Sequence, residues 1–412
     1  MEFPEFCRLW QLSDLDRAQL APLWKEYEGE PAKEVPEFLE TAYFEKIYPL
    51  CQAKVPLAEI LPRVRAVSRL AHEAPAVSVL AKIIFDGAFK REPMFKLTSF
   101  ADPFPIFGEE LSGVFTLMIS LGAYPLIAAK HRALGIPQSY TDDLMAWFGG
   151  NMEMYALGHR GAPGREFGFS WVRLYVDGTL FRIGRLEYWM QDYRPWLPAI
   201  YRNAQGKVAA LCRDNWMIGK HHQCVSDPAQ ADFTTHFTET ETTVSGTLYC
   251  ADGSFDPETV TTLDKAQWHP VAKPWSLCPS LHIPGGKRMP FDEIKSSLVA
   301  AKKFFADYFH QEVPLFCCNS WILNPAWETI LPDSNIARFR REGHAIPAPP
   351  AAPRAGMGFV FGRADVDPTT LPATNSMQRA IQEAARQDKL DAGAVFFLAD
   401  DLEDLGNEYY RE

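Results

Sequence analysis

The sequence predicts an α+β protein built in two parts, a helical first part and a mixed-sheet second part. Three observations carry this. Apolar residues recur at helical spacing up to about residue 160, the period then changes to two, and the later strands and helices never settle into steady β–α alternation.

In the first part, Leu57, Ile60, Leu61, Val64, Val67 and Leu70 make an i, i+3, i+4 stripe, the mark of a helix with one buried face. Val114 to Ala129 is the most apolar run and is interrupted by Gly122 and Pro125. It falls short of the roughly 20 apolar residues a bilayer span needs, so a buried core helix is expected. Ser139-Tyr140-Thr141-Asp142 has capping-box spacing, with Asp in place of Glu, and opens a helix to Leu157. Gly149-Gly150 is expected to kink or split that helix. The turn-rich stretch from Gly158 to Gly164 then separates a helical domain, 1–160, from an α+β domain, 165–412.

In the second part, Phe167–Val176, Asp177-Gly178 and Thr179–Tyr193 read as a β-hairpin with a tight primed turn. Strand-like runs follow at 208–218, 233–239, 242–250 and 276–283. After Pro284-Gly285-Gly286, Ile294, Leu298, Ala301, Phe305 and Tyr308 define the apolar face of a strong amphipathic helix. A strand over 313–318 and a helix over about 325–341 come next. Four prolines between Ala345 and Met357 predict an extended loop, and Phe359–Phe361 a strand. Asn375-Ser376-Met377-Gln378 has capping-box spacing for a helix to about Gln387, and Ala394–Leu398 closes with a last strand.

Composition excludes some functions. The net charge of −11 argues against a nucleic-acid or anionic-membrane partner, each of which needs a basic face. The 28 Phe, 14 Tyr and 11 Trp supply ample burial against disorder. The acidic N-terminus lacks a basic n-region, and the eight cysteines form no CxxC, so a cytoplasmic protein with reduced thiols is expected. His221-His222-Gln223-Cys224 has no second cluster to complete a metal site, so no metal is expected.

The local candidates for chemistry cluster late in the chain. Gly285, Gly286, Lys287 and Arg288 join a strand to a helix, where free amides, the helix N-terminus and two cations suit a pyrophosphate. The ordinary alternative is a β–α turn with solvated basic residues. His282, at the strand end, is a candidate base, or else a core histidine bonded to backbone. Strand alternation puts Phe181, Ile183, Arg185, Glu187, Trp189 and Gln191 on one face. Covered, that face makes Glu187 a general base; wet, it makes Arg185–Glu187 a surface pair. Asn319 and Ser320 are placed to bond a substrate carbonyl or to cap the next turn. Of Cys317 and Cys318, at most one could act as a nucleophile, since they point to opposite faces.

At these residues a family resemblance enters. Leu281-His282-Ile283-Pro284-Gly285, Ser297-Leu298 through Phe304-Phe305, Cys318-Asn319-Ser320-Trp321-Ile322-Leu323 and Asp333-Ser334-Asn335-Ile336 with Phe339 resemble a bacterial family of acyltransferase-domain proteins. Its members pair a helical N-acyltransferase N-terminal domain with a GNAT-like C-terminal domain. The resemblance implies an acyl-CoA cosubstrate, a small amine acceptor and direct attack of the amine on the thioester. It implies donor phosphates at Gly285, Gly286, Lys287 and Arg288 and a general base, for which His282 or Glu187 is the candidate. Asn319, Ser320 and Arg185 then line the acceptor site, and Tyr188 reprotonates the leaving thiolate from the strand face opposite Glu187. Residues 281–288 depart from the usual GNAT pyrophosphate loop, which has Arg or Gln, two residues, then Gly-x-Gly or Gly-x-Ala. The alternative is a non-catalytic acyl-CoA or small-molecule binding module on the same fold. The sequence specifies no oligomeric state.

Overall fold

The structure is a computed structural model that describes residues 1–28, 34–95, 97, 104–285, 288–348, 356–363 and 366–411. The chain divides into two compact units. One comprises Met1–Arg182 with Pro284–Lys287, the other Ile183–Ile283 with Arg288–Glu412.

The first unit is helical. The stripe from Leu57 to Leu70 lies in one helix, Leu57–Glu73, and a second helix, Pro75–Phe89, follows because Pro75 restarts the backbone at a first helical position. Gly108–Leu121 and Tyr124–Ala133 together have the length and apolarity of a membrane span, but 78% of their most apolar window is buried inside the protein. Gln138–Gly158 is one unbroken helix, and Pro137 rather than Ser139 precedes it. Gly149 does not split the helix. A Cβ there would stand 2.3 Å from the Cys51 carbonyl oxygen, so glycine serves close backbone approach.

The expected hairpin at 167–193 is corrected. Ser170–Asp177 is a helix that buries Val172 and Tyr175 and pairs Arg173 with Asp177 across one turn. Gly178, at φ 67°, is its left-handed C-terminal cap. Asp-Gly serves this ending as readily as a primed turn.

In chain order the strands are β1 (Leu180–Ile183), β2 (Leu186–Trp189), β3 (Ala199–Asn203), β4 (Val208–Leu211), β5 (Met217–Ile218), β6 (Phe233–Thr234) and β7 (Phe237–Glu239). Then come β8 (Thr243–Tyr249), β9 (Phe255–Asp264), β10 (Trp268–Pro270), β11 (Ser280–His282), β12 (Leu315–Ser320), β13 (His344–Pro347) and β14 (Gly393–Leu398). One sheet runs β1-β2-β11-β12-β14-β13; a second runs β10-β3-β4-β8-β7, with β9 also on β8. A small ribbon pairs β5 with β6. In the first sheet β11 and β12 pair in parallel, and β2–β11, β12–β14 and β13–β14 are antiparallel.

The helix Phe291–Phe309 provides the crossover from β11 to β12 and buries Ile294, Leu298, Ala301 and Phe305, as the periodicity predicts; Tyr308 is only partly buried. Phe305 and Phe316 flank Tyr188 at 6.4 and 5.5 Å between ring centres, so this helix covers one face of the sheet. The other face meets the second sheet, where Leu315, Cys317 and Phe396 pack with Ile200, Ala210 and Tyr249. That arrangement is a helical part followed by a mixed-sheet α+β part.

Three further expectations change. The helix over 325–341 is two pieces, Trp327–Ile330 and Asn335–Glu342, because Pro332 ends one and Ser334 caps the other through the Ala337 amide. Part of the proline-rich loop is strand β13, which pairs with β14. Met357–Phe361 is a helix, not a strand. The capping box of Asn375 and Gln378 forms as read.

Candidate active site

The turn Gly184-Arg185 joins β1 to β2 and interrupts the continuous alternation expected over 181–191. Arg185 is therefore a turn residue. Its Nε donates to the Arg288 carbonyl at 2.9 Å, which ties the turn to the segment ahead of the long helix.

Glu187 keeps its place on β2 and is brought to His282. The antiparallel register sets His282 of β11 directly opposite Glu187, so the two side chains share a face. The parallel register pairs Ser280 with Cys317, which puts Asn319 level with His282 two residues further along each strand. Glu187, His282 and Asn319 thus form a row across β2, β11 and β12, at the carboxyl ends of the parallel pair. That pair shares a single register position, whereas β12 runs on beside β14 for its full length to Ser320.

The row grades from buried to open. Glu187 is 1% exposed, His282 partly buried and Asn319 exposed. Burial pushes the His282 imidazole down to about 4, so it is neutral at ordinary pH. Trp189 stands beside it, with ring centres 6.2 Å apart.

Tyr188 and Ser320 fall elsewhere. Tyr188 alternates to the helix-covered face, where it is fully buried and shares a 2.8 Å hydrogen bond with Ser297 Oγ. Ser297 Oγ in turn donates to the Ile183 carbonyl. Burial raises the phenol far above its ordinary value. A phenol buried in this way is not placed to protonate a departing thiolate; its hydroxyl anchors a helix to the sheet. Tyr188→Phe is expected to lose about 1 kcal/mol of stability in urea unfolding with activity per folded molecule unchanged. A collapse of activity with the fold intact would restore a chemical role.

Ser320 Oγ accepts from the Ile322 amide at 3.3 Å, capping the turn that follows β12. Strand alternation sets it on the face opposite Asn319. Cys317 and Cys318 are buried, and burial raises both thiols, Cys317 to about 12, which disfavours a nucleophilic thiolate.

Of the four phosphate candidates, Gly286 and Lys287 lie outside the described residues. Gly285 and Arg288 are exposed. Gly285 lies against the Gln138–Gly158 helix, where a Cβ on Gly150 would stand 3.0 Å from its carbonyl oxygen. The long helix begins only at Phe291, after Pro290, and its first turn carries Asp292 and Glu293. Gly285 and Arg288 therefore precede the helix and are no part of its first turn. Asp292 and Glu293 in that first turn oppose an anion at the helix N-terminus.

A parallel strand–helix–strand unit set in an otherwise antiparallel sheet defines a GNAT-like α+β domain. The chain belongs to the family described as GNAT-like C-terminal domain, whose model matches residues 180–393. Solved structures show the same fold over nearly the whole chain. One is an acyltransferase in complex with decanoyl-CoA and teicoplanin, with TM-score 0.61 and 16% identity, covering 97% of this chain and 100% of that one. Another is an acyltransferase in complex with CoA and 10C-teicoplanin, with TM-score 0.61 and 18% identity over the same shares. A third is an acyltransferase mutant in complex with octanoyl-CoA, with TM-score 0.59 and 17% identity, covering 97% and 99%. No curated protein matches the sequence.

Proposed function

We propose that this protein transfers an acyl group from an acyl-CoA thioester to an amine. The observation that carries the reading is the row of Glu187, His282 and Asn319 at the carboxyl ends of the parallel strand pair. The acyltransferase neighbours, solved with octanoyl-CoA and decanoyl-CoA, support a medium-chain acyl donor. Those solved with teicoplanin and 10C-teicoplanin support a small-molecule acceptor.

In this reading the neutral amine attacks the thioester carbonyl carbon. The C–N bond forms, the C–S bond breaks, and His282 takes the proton that the nitrogen sheds. Coenzyme A leaves as a thiolate, and the imidazolium returns that proton to its sulfur, so atoms and charge balance. A depressed imidazole pKa suits both halves. It keeps the base unprotonated before attack and makes the imidazolium a strong acid toward a thiolate. Glu187 is a positioning residue that orients the ring from the neighbouring strand. Asn319 offers an amide to the thioester carbonyl, and Arg288, ahead of the helix, offers a cation to the donor phosphates.

A thermal-shift series with coenzyme A, acetyl-CoA, octanoyl-CoA and decanoyl-CoA tests donor binding. A donor at 100 times its dissociation constant is expected to add about 2.7 kcal/mol. No shift with any of the four overturns the assignment. Binding without release of free thiol across a broad amine panel would make the protein a binding module instead.

A further inference from the structure

The second sheet carries an aromatic-walled cavity that acyl transfer does not use. Its volume is about 380 Å³, and it lies wholly within the second compact unit. Tyr201 of β3 and Trp268 of β10 share the outer face of this sheet, because β10 pairs Trp268 with Asn203, two residues beyond Tyr201. Tyr193 completes a third wall.

Two cations line the same space. Arg213 stands over the Tyr193 ring at 5.5 Å and donates from Nε to the Leu197 carbonyl, which fixes the guanidinium plane. Lys273 Nζ lies 5.8 Å from the ring centre of Trp275, which is 73% exposed. Among the described residues, neither Arg213 nor Lys273 has a carboxylate partner. A third cation, Lys265, is already matched by Glu239 at 2.7 Å. The lining therefore keeps a net positive charge in a chain whose overall charge is −11.

We propose that this cavity binds a small aromatic carboxylate, its ring against Tyr193, Tyr201 and Trp268 and its carboxylate on Arg213 and Lys273. The volume is at the low end for ligand sites, which suits a compact acid and excludes a whole coenzyme A. Three aromatic walls have no use for a bare inorganic anion, and two unmatched cations oppose a cationic ligand. Arg213 presents its remaining N–H groups in the planar fork that matches a carboxylate.

Calorimetric titration of the full chain with phenylacetate, phenylacetamide and inorganic phosphate tests the site. Saturable phenylacetate binding is expected, at least about tenfold tighter than the neutral amide or phosphate. Arg213→Met is expected to weaken it more than about tenfold. Lys273→Met, at an exposed side chain that leaves folding intact, is expected to weaken it severalfold. The decanoyl-CoA melting shift should persist in both variants, which separates this site from the donor site. No saturable phenylacetate binding, equal binding of phosphate, or binding undiminished in both variants would overturn the proposal.

Discussion

His282→Ala is expected to lower turnover by about 10²- to 10³-fold while leaving the donor-induced melting shift intact. The size follows from what the ring does in the proposed reaction. It takes a proton from the attacking nitrogen and returns it to the departing sulfur, whereas His344, which the registers place on the same sheet face, stands on β13 and is only 4% exposed. Glu187→Gln should have a smaller effect, falling on kcat rather than KM, because the amide keeps the shape of the carboxylate but changes how the ring is held. The acid limb of the rate assigned to His282 should lie near 4, not near the ordinary imidazole value of 6.5, with an acceptor whose own ionisation is measured separately. Steady-state release of free thiol, followed alongside the melting curve, separates the cases. A His282→Ala protein that keeps more than about a third of wild-type turnover sinks the base assignment. One that loses the donor shift instead makes His282 a binding residue.

Much of this site's frame was legible from local pattern, but its assembly was not. The helix Phe291–Phe309 declared itself through Ile294, Leu298, Ala301 and Phe305, since one amphipathic face is a short-range signal. The identity of the neighbour across a strand is not. Glu187 and His282 meet because β2 and β11 pair, with β3 to β10 lying between them in sequence, and alternation fixes a face without naming the partner strand. Arg185 was misplaced for a local reason. Gly184-Arg185 lacks the Asn-Gly or Asp-Gly signature, yet glycine at the first turn position, here at φ 60°, is itself a hairpin signal. Asp177-Gly178 carried the stronger signature and closes a helix. For Tyr188, alternation did foretell the opposite face, and the structure adds what lies there: Ser297 and a helix.

Acid should destabilise the two compact units unequally. His131 in the first unit is 1% exposed, stacked on Phe181 and bonded through Nδ1 to Thr141 Oγ1 at 2.8 Å. In the second, His344 is 4% exposed and stacked on Phe396 at 4.6 Å. Burial pushes each of them, and His282, down from 6.5 to about 4. For His344 the Arg411 charge adds to the lowering, while its bond to the Ala345 carbonyl and the Asp252 charge oppose it. Between about 6.5 and 4 the unfolded chain binds a proton at each histidine and the folded chain does not, so the stability present above 6.5 is lost as pH falls. Each site contributes roughly 1.4 kcal/mol per pH unit within that window. Among the described residues the second unit holds two such histidines and the first one, so the second should lose stability about twice as steeply from these groups. Hydrogen exchange read peptide by peptide between about pH 7 and about pH 5, corrected for intrinsic exchange, reports each unit separately. His344→Gln, which cannot titrate, should reduce the slope of the second unit by roughly 1.4 kcal/mol per pH unit. Equal slopes in the two units, or a stability that stays flat over that range, would show that these imidazoles are not held neutral by burial.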